Sequence, residues 1–410
     1  MAILYGTQSN GETLPVLVDQ FGNLLAKGIE GPPGPEGPPG VGELPPGATD
    51  GALLGWQDGE LVWITEPLPP VIVAGFRPFI YTGNGGTQSI DCGFSPDFVW
   101  IKDRTTNESH ALFDTLRGDT NLIYSNTTNI ENSQSTTLTS FDSDGFTVGS
   151  DGKVNTNNDN YVAWCWDAGD TTVTNNEGTI PSQVRSNGSF SIVKYTGNGS
   201  VASVGHGLET APSMFIVKST SDAFSWFVYH ESINNGQQLK LNSADAKGST
   251  GYWQNTNPSS SVIYLDGSEN NEVAGDGKEF IAYCWSETAS ESSFGQYTGN
   301  SGRQTIQIGF KPSLVIIKST GTGDWFMFDN ARGASNALYP NLNAIEADTG
   351  AIEFLDTGFQ ILFGLPGVSE NDQTYIYAAF ANPEDAAFAR MQLRRQVRQE
   401  ERQQNETRLR

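Results

Sequence analysis

"YTGNG" at residues 81–85 returns unchanged at 195–199 and as "YTGNS" at 297–301. From Tyr81 to Tyr195 is 114 residues, and from Tyr195 to Tyr297 is 102. A matching series follows each copy: QSIDCGFSPDFVWIKD (88–103), ASVGHGLETAPSMFIVKS (202–219) and QTIQIGFKPSLVIIKS (304–319). Each series then ends in an apolar run: YVAWCW (161–166), FIAYCW (280–285) and YIYAAF (375–380). The period is too long for a solenoid, so each unit is a module of domain size.

Within a module the signals are all β. DFVWIKD and LVIIKS are rich in β-branched and aromatic residues, and the Gly-Phe-x-Pro before them starts the strand with a turn. FDSDGFTVG (141–149) and FLDTGFQILFG (354–364) read as hairpins. The closing run is apolar at every position, which predicts a central strand covered on both faces. The expected fold is therefore all-β, with three tandem β-sandwich-like modules at 79–170, 189–286 and 294–382. The polar stretches 167–188 and 286–293 read as linkers between them. Upstream, LLGWQDGELVWI (53–64) reads as a small hairpin about Asp58-Gly59, inside a segment 43–78 that ends in a proline-rich linker.

The two ends differ from the body. GIEGPPGPEGPPG places Gly28, Gly31, Gly34, Gly37 and Gly40 on the Gly-X-Y period of collagen. At ~3.1 Å per residue this makes a short stiff rod. It is too short to hold a triple helix alone, so 28–42 reads either as a trimeric neck or as a stiff linker. Residues 1–27 precede it. At the other end, 383–410 lacks glycine after its opening Asn382-Pro383 and reads as a helix. It carries seven arginines against five acids, among them Arg390, Arg394, Arg395, Arg398 and Arg402. Its apolar residues are too sparse for a coiled-coil seam. It is either a solvated helix or a basic tail that docks on an acidic neighbour.

Composition excludes several functions. The net charge is −24 over 410 residues, a field that repels nucleic acid and lipid headgroups. No run approaches the ~20 apolar residues that span a bilayer, and no secretory signal opens the chain. The expectation is a soluble protein made in a cytoplasm. Three cysteines, Cys92, Cys165 and Cys284, make no disulfide framework and no zinc spacing. Cys165 and Cys284 match Ala379 in the third module, so that position reads as a small packing site. His110, His206 and His230 show no catalytic or metal spacing and read as surface or turn residues. FDTLRG (113–118) and FDNARG (328–333) read as an Asp–Arg pair across a turn, and the second module has YHESIN (229–234) there. Two acidic loops, 142–160 and 265–279, raise calcium as the one cofactor worth weighing, although neither fits an EF-hand. Trp226, Trp253 and Trp325 read as core, with sugar stacking as the alternative. No nucleotide loop, triad or paired-carboxylate signature is present, so the expectation is a protein without catalytic residues or cofactors.

Taken together, LYGTQSNGETLPVLVDQFGNLLAKG (4–28), the collagen-like run, the GWQDGELVW hairpin and the YTGNG…GFSPDFVWIK…DTLRG…YVAWCW module resemble the fibre proteins of tailed bacteriophages, notably marine phages of cyanobacteria. The resemblance covers most of the chain. It implies a virion protein, a homotrimer, an N-terminal segment that attaches to other tail proteins, and distal domains that adhere to a host surface polysaccharide or protein. A purely structural capsid fibre or tail adaptor is the second reading, and a polysaccharide-degrading tailspike the third. The basic C-terminal helix departs from the pattern.

Overall fold

The computed structural model describes the strands Ala2–Thr7, Thr13–Val18, Leu53–Gln57 and Glu60–Ile64, and residues 75–267 and 271–382. The chain divides into two units, Met1–Val71 and Ile72–Arg410. In the first, Ala2–Thr7 pairs antiparallel with Thr13–Val18. Leu53–Gln57 pairs antiparallel with Glu60–Ile64, with Gln57 opposite Glu60. The collagen-like glycines Gly28 to Gly40 and the arginines of 383–410 lie outside the described residues.

The second unit is built of three sandwiches. In module 1 a six-stranded antiparallel sheet holds, in order, Asn132–Ser133, Gly118–Ile123, Ala111–Asp114, Phe98–Asp103, Asn160–Trp166 and Phe76–Thr82. A three-stranded sheet of Leu138–Phe141, Gly145–Val148 and Gln88–Asp91 covers one face of it. Module 3 repeats both sheets, with Thr374–Phe380 between Ser292–Thr298 and Leu314–Ser319. Module 2 differs. Its smaller sheet has two strands, and its larger has seven, because a hairpin of Thr172–Asn175 and Ser182–Ser186 adds to the outside of Phe190–Thr196. That hairpin corrects the reading of 167–188 as a linker. Val184 is buried, so this polar segment is anchored by packing that its composition did not announce. Module 1 also begins earlier than residue 79, since Phe76 pairs with Trp166.

The closing strands explain how the modules associate. Side chains alternate across a strand, and here both faces are buried. Tyr161, Ala163 and Cys165 enter the core of module 1, as Phe280, Ala282 and Cys284 do in module 2 and Tyr375, Tyr377 and Ala379 in module 3. The alternate residues, Val162, Trp164 and Trp166 with their counterparts, enter a single further core shared by all three modules. There the rings of Trp166, Trp285 and Phe380, matched positions of the three closing strands, close a triangle with centroid separations of 6.1, 5.8 and 6.1 Å. The three large sheets thus face one another about a common axis, and one chain forms a three-part ring.

Polar contacts repeat around this ring. His110, Trp226 and Trp325 occupy one position. The backbone N–H of each donates to an asparagine, Asn126, Asn242 and Asn341, at 3.2, 2.9 and 3.0 Å. Their rings reach across to the carbonyls of Tyr339, Tyr124 and Lys240, each at 2.9 Å. Backbone bonds Glu131 N–Thr220 O, Lys247 N–Thr320 O and Glu346 N–Arg104 O at 2.9, 3.0 and 3.1 Å close the same cycle. Every module begins and ends at the same end of the axis. Gly75 O accepts from Asp167 N at 2.8 Å, and Ala381 N donates to Glu291 O at 2.8 Å.

Trp285→Ala should cost about 3–5 kcal/mol, the usual range for deleting a buried aromatic. Because its ring touches two other modules, calorimetry should still give one unfolding transition, moved down. Separate transitions for separate modules would contradict a shared core.

Candidate functional site

The repeated motif is the first place to look for function, and its geometry is structural. Tyr81, Tyr195 and Tyr297 donate their hydroxyls to the carbonyls of Val154, Val273 and Val368 at 2.7, 2.6 and 2.6 Å. Each ring stacks on its partner in the closing strand, Tyr161, Phe280 or Tyr375, at 5.1 to 5.2 Å. Asn84, Asn198 and Asn300 accept from the backbone N–H two residues on, closing an Asx turn. The glycine between them has a steric role: a Cβ on Gly83 would stand 2.0 Å from the carbonyl oxygen of Thr156. YTGNG therefore latches a turn to the sandwich rather than forming a ligand loop.

The second repeated feature is a set of buried polar keys between modules. Asp114 Oδ2 accepts from Arg117 Nε at 2.5 Å and from the Tyr283 hydroxyl of module 2 at 2.7 Å. Asp329 Oδ2 accepts from Arg332 Nε at 2.6 Å and from Trp164 Nε1 of module 1 at 2.9 Å. Both ion pairs are shut off from solvent. In module 2 the same positions hold His230 and Ile233, and the facing residue of module 3 is Ala378, which has no donor. His230 Nε2 instead meets the backbone carbonyl of Tyr377 at 3.0 Å. Where the facing donor is gone, the carboxylate and its arginine are gone with it, since an unpaired buried charge costs far more than an apolar contact.

Three lysines are keyed in the same way. Lys102, Lys218 and Lys318 are buried at one matched position, and burial lowers each to about 8. Each ammonium donates to carbonyls of the loop that follows, including Thr106, Asp222 and Gly321. Sequence reasoning passed over them because a lysine after an apolar run reads as a strand end.

The histidines correct the sequence reading, for none lies at the surface. Burial lowers His110 well below the usual imidazole range, lowers His206, and brings His230 to about 4. These folded values lie below the unfolded ~6.5. The unfolded chain therefore binds more protons between pH 4 and 6.5, and stability is held above that window and lost as pH falls through it. His230 alone should account for about 2 kcal/mol lost between pH 7 and 5. His230→Gln keeps a donor for Tyr377, and its urea midpoint should fall less over that interval. An equal fall would remove His230 from the acid response.

Other candidates resolve as packing. Trp226, Trp253 and Trp325 are buried, so they present no stacking platform. The three cysteines are free and buried, and burial pushes Cys284 up to about 12. In the acidic loop 142–160, Asp142 accepts from Ser140 and Thr147 hydroxyls, and Asp151 caps the single helical turn Gly152–Asn155. Among the described residues no three His, Cys, Asp or Glu side chains converge as metal ligands.

Among the described residues one open groove, of about 530 Å³, lies within module 2 beside Gln238, Lys240 and Asp245, and another, of about 480 Å³, lies at the seam between modules 1 and 2. The walls of the seam groove are the turn Thr115–Leu116 on one side and the extra hairpin, through Thr172, Pro181 and Gln183, on the other.

No curated protein matches the chain. A family model described as a domain of unknown function, DUF7483, matches residues 74–383. That span takes in all three modules and most of the sequence, and the chain belongs to the DUF7483 family.

Proposed function

We propose that this protein is a structural component of a phage virion, a tail fibre with a collagen-like neck and a three-module body that contacts the host surface. The supporting observation is the closed ring. The inner faces of the modules are spent on one another, and the chain enters and leaves at one end, so the opposite end and the outer seams are left to meet a partner. This suits a terminal, non-catalytic domain. In this reading the neck makes the homotrimer, residues 1–27 attach to other tail proteins, and the arginines of 383–410 dock on an acidic neighbour.

Light scattering separates the parts. The full chain should have the mass of three chains, and a truncated chain starting at Thr65 the mass of one, because the ring closes within a single chain. A full-length monomer would make the neck a linker, and a trimer that survives truncation would place association in the body. Electron microscopy of virions with antibody against the body should label tail tips. Label on the capsid would favour a capsid fibre, and no label on any particle would end the virion reading.

A further inference from the structure

The three modules share one plan, and the largest addition to it is a single element in module 2. The hairpin of Thr172–Asn175 and Ser182–Ser186 occurs once among the described residues. Covering a sheet edge against self-association is one use for such a hairpin. That need applies equally to Phe76–Thr82 and Ser292–Thr298, which end their sheets among the described residues with no such cover. The hairpin also ties module 2 to module 1, with Arg185 Nε 2.6 Å from the buried Asp97 Oδ1, and it provides a wall. With Thr115 and Leu116 of module 1 opposite, and Lys194, Thr196 and Glu279 between, it encloses the groove at the seam.

We propose that this groove binds a short neutral oligosaccharide, and that it supplies the host contact of the reading above, on which this inference rests. Sugar hydroxyls both donate and accept, so their sites set donors and acceptors side by side. Thr196 Oγ1 donates to Glu279 Oε1 at 2.6 Å, which leaves lone pairs on the hydroxyl oxygen. Gln183 gives one amide hydrogen to Thr174 Oγ1 at 2.9 Å, and its amide has a second hydrogen and an oxygen. Lys194 adds a cation that Glu279 balances, so the groove has no net demand for an ionic ligand. Leu116 and Pro181 offer apolar surface to the C–H face of a ring. The volume falls within the range of small-molecule sites, roughly 300–1,000 Å³. An open polar groove of this kind binds weakly, on the order of millimolar, and gains strength from copies presented together.

The test uses the full-length protein on an array of neutral trisaccharides of glucose, galactose and mannose, with saturation-transfer NMR of any that is retained. At least one should bind. Gln183→Ala and Lys194→Ala should each weaken it at least tenfold without moving the thermal midpoint. Failure of every neutral sugar, binding untouched by both variants, or retention of sulfated or carboxylated glycans alone would overturn the proposal. Cell adhesion unchanged in the double variant would overturn the groove and leave the fibre reading standing. Sugar binding by a protein whose antibody labels no virion would do the reverse.

Discussion

Gly83→Ala is expected to cost about 3 kcal/mol or more, as much as a serious core defect. The new methyl would stand 2.0 Å from the carbonyl oxygen of Thr156, a backbone atom that no rotamer change can clear. Gly197 and Gly299 face the same obstruction from Gly275 and Glu370, at 2.2 and 2.3 Å. Gly86→Ala is the control. Its nearest neighbour, Asn84 Oδ1, would be 3.6 Å away, an ordinary contact. It should change stability by no more than about 0.5 kcal/mol. Urea midpoints decide the matter. Similar losses at Gly83 and Gly86 would mean that the close approach to Thr156 does not explain the motif, since alanine in an unobstructed loop lowers the entropy of the unfolded chain and does not destabilise.

Arg332→Met should cost about 3–5 kcal/mol, because it leaves the Asp329 carboxylate buried without its cation. Asp329 would keep Trp164 Nε1 and the backbone N–H of Arg332, two neutral donors for a full charge. Glu346, which meets both Arg332 and Arg104, would lose one of its two partners. Asp329→Asn added to Arg332→Met should recover a substantial part of the loss, since the charge that needed pairing is gone. If the double variant is no more stable than the single one, desolvated charge is not the cause and lost packing of the guanidinium stem is. Module 2 already carries the natural form of this double change, with His230 and Ile233 in place of aspartate and arginine.

The sandwich modules and their central closing strands were legible because both rest on local rules. An alternating strand has one wet face, and YVAWCW has none. The pattern states that both faces are covered without naming the cover. The shared core was nonetheless written in the repeats. Aligning the closing runs sets Trp164 and Tyr283 against Ala378, and aligning the turns sets Asp114 and Asp329 against His230. Donor and carboxylate vanish from the facing pair together. The histidines were misplaced because a search for catalytic partners ignores alignment, which puts His110 where Trp226 and Trp325 stand. The extra hairpin was missed because GTIPSQVRS carries the glycine, proline and polar residues of a loop, and Val184 and Ile180 are its two buried apolar residues. The groove it walls has no sequence signature, since its residues come from two modules.

Carrying all three parts of the ring in one polypeptide has a consequence for inheritance. In a ring of identical chains every substitution is made three times, so a change useful on one face must be tolerated on the other two. Here each face has its own codons. One seam has an ion pair with tryptophan, another has one with tyrosine, and a third has histidine and alanine at the matched positions. One module has a hairpin that the other two lack among the described residues. The fused ring can alter what it meets on one side while holding its centre constant.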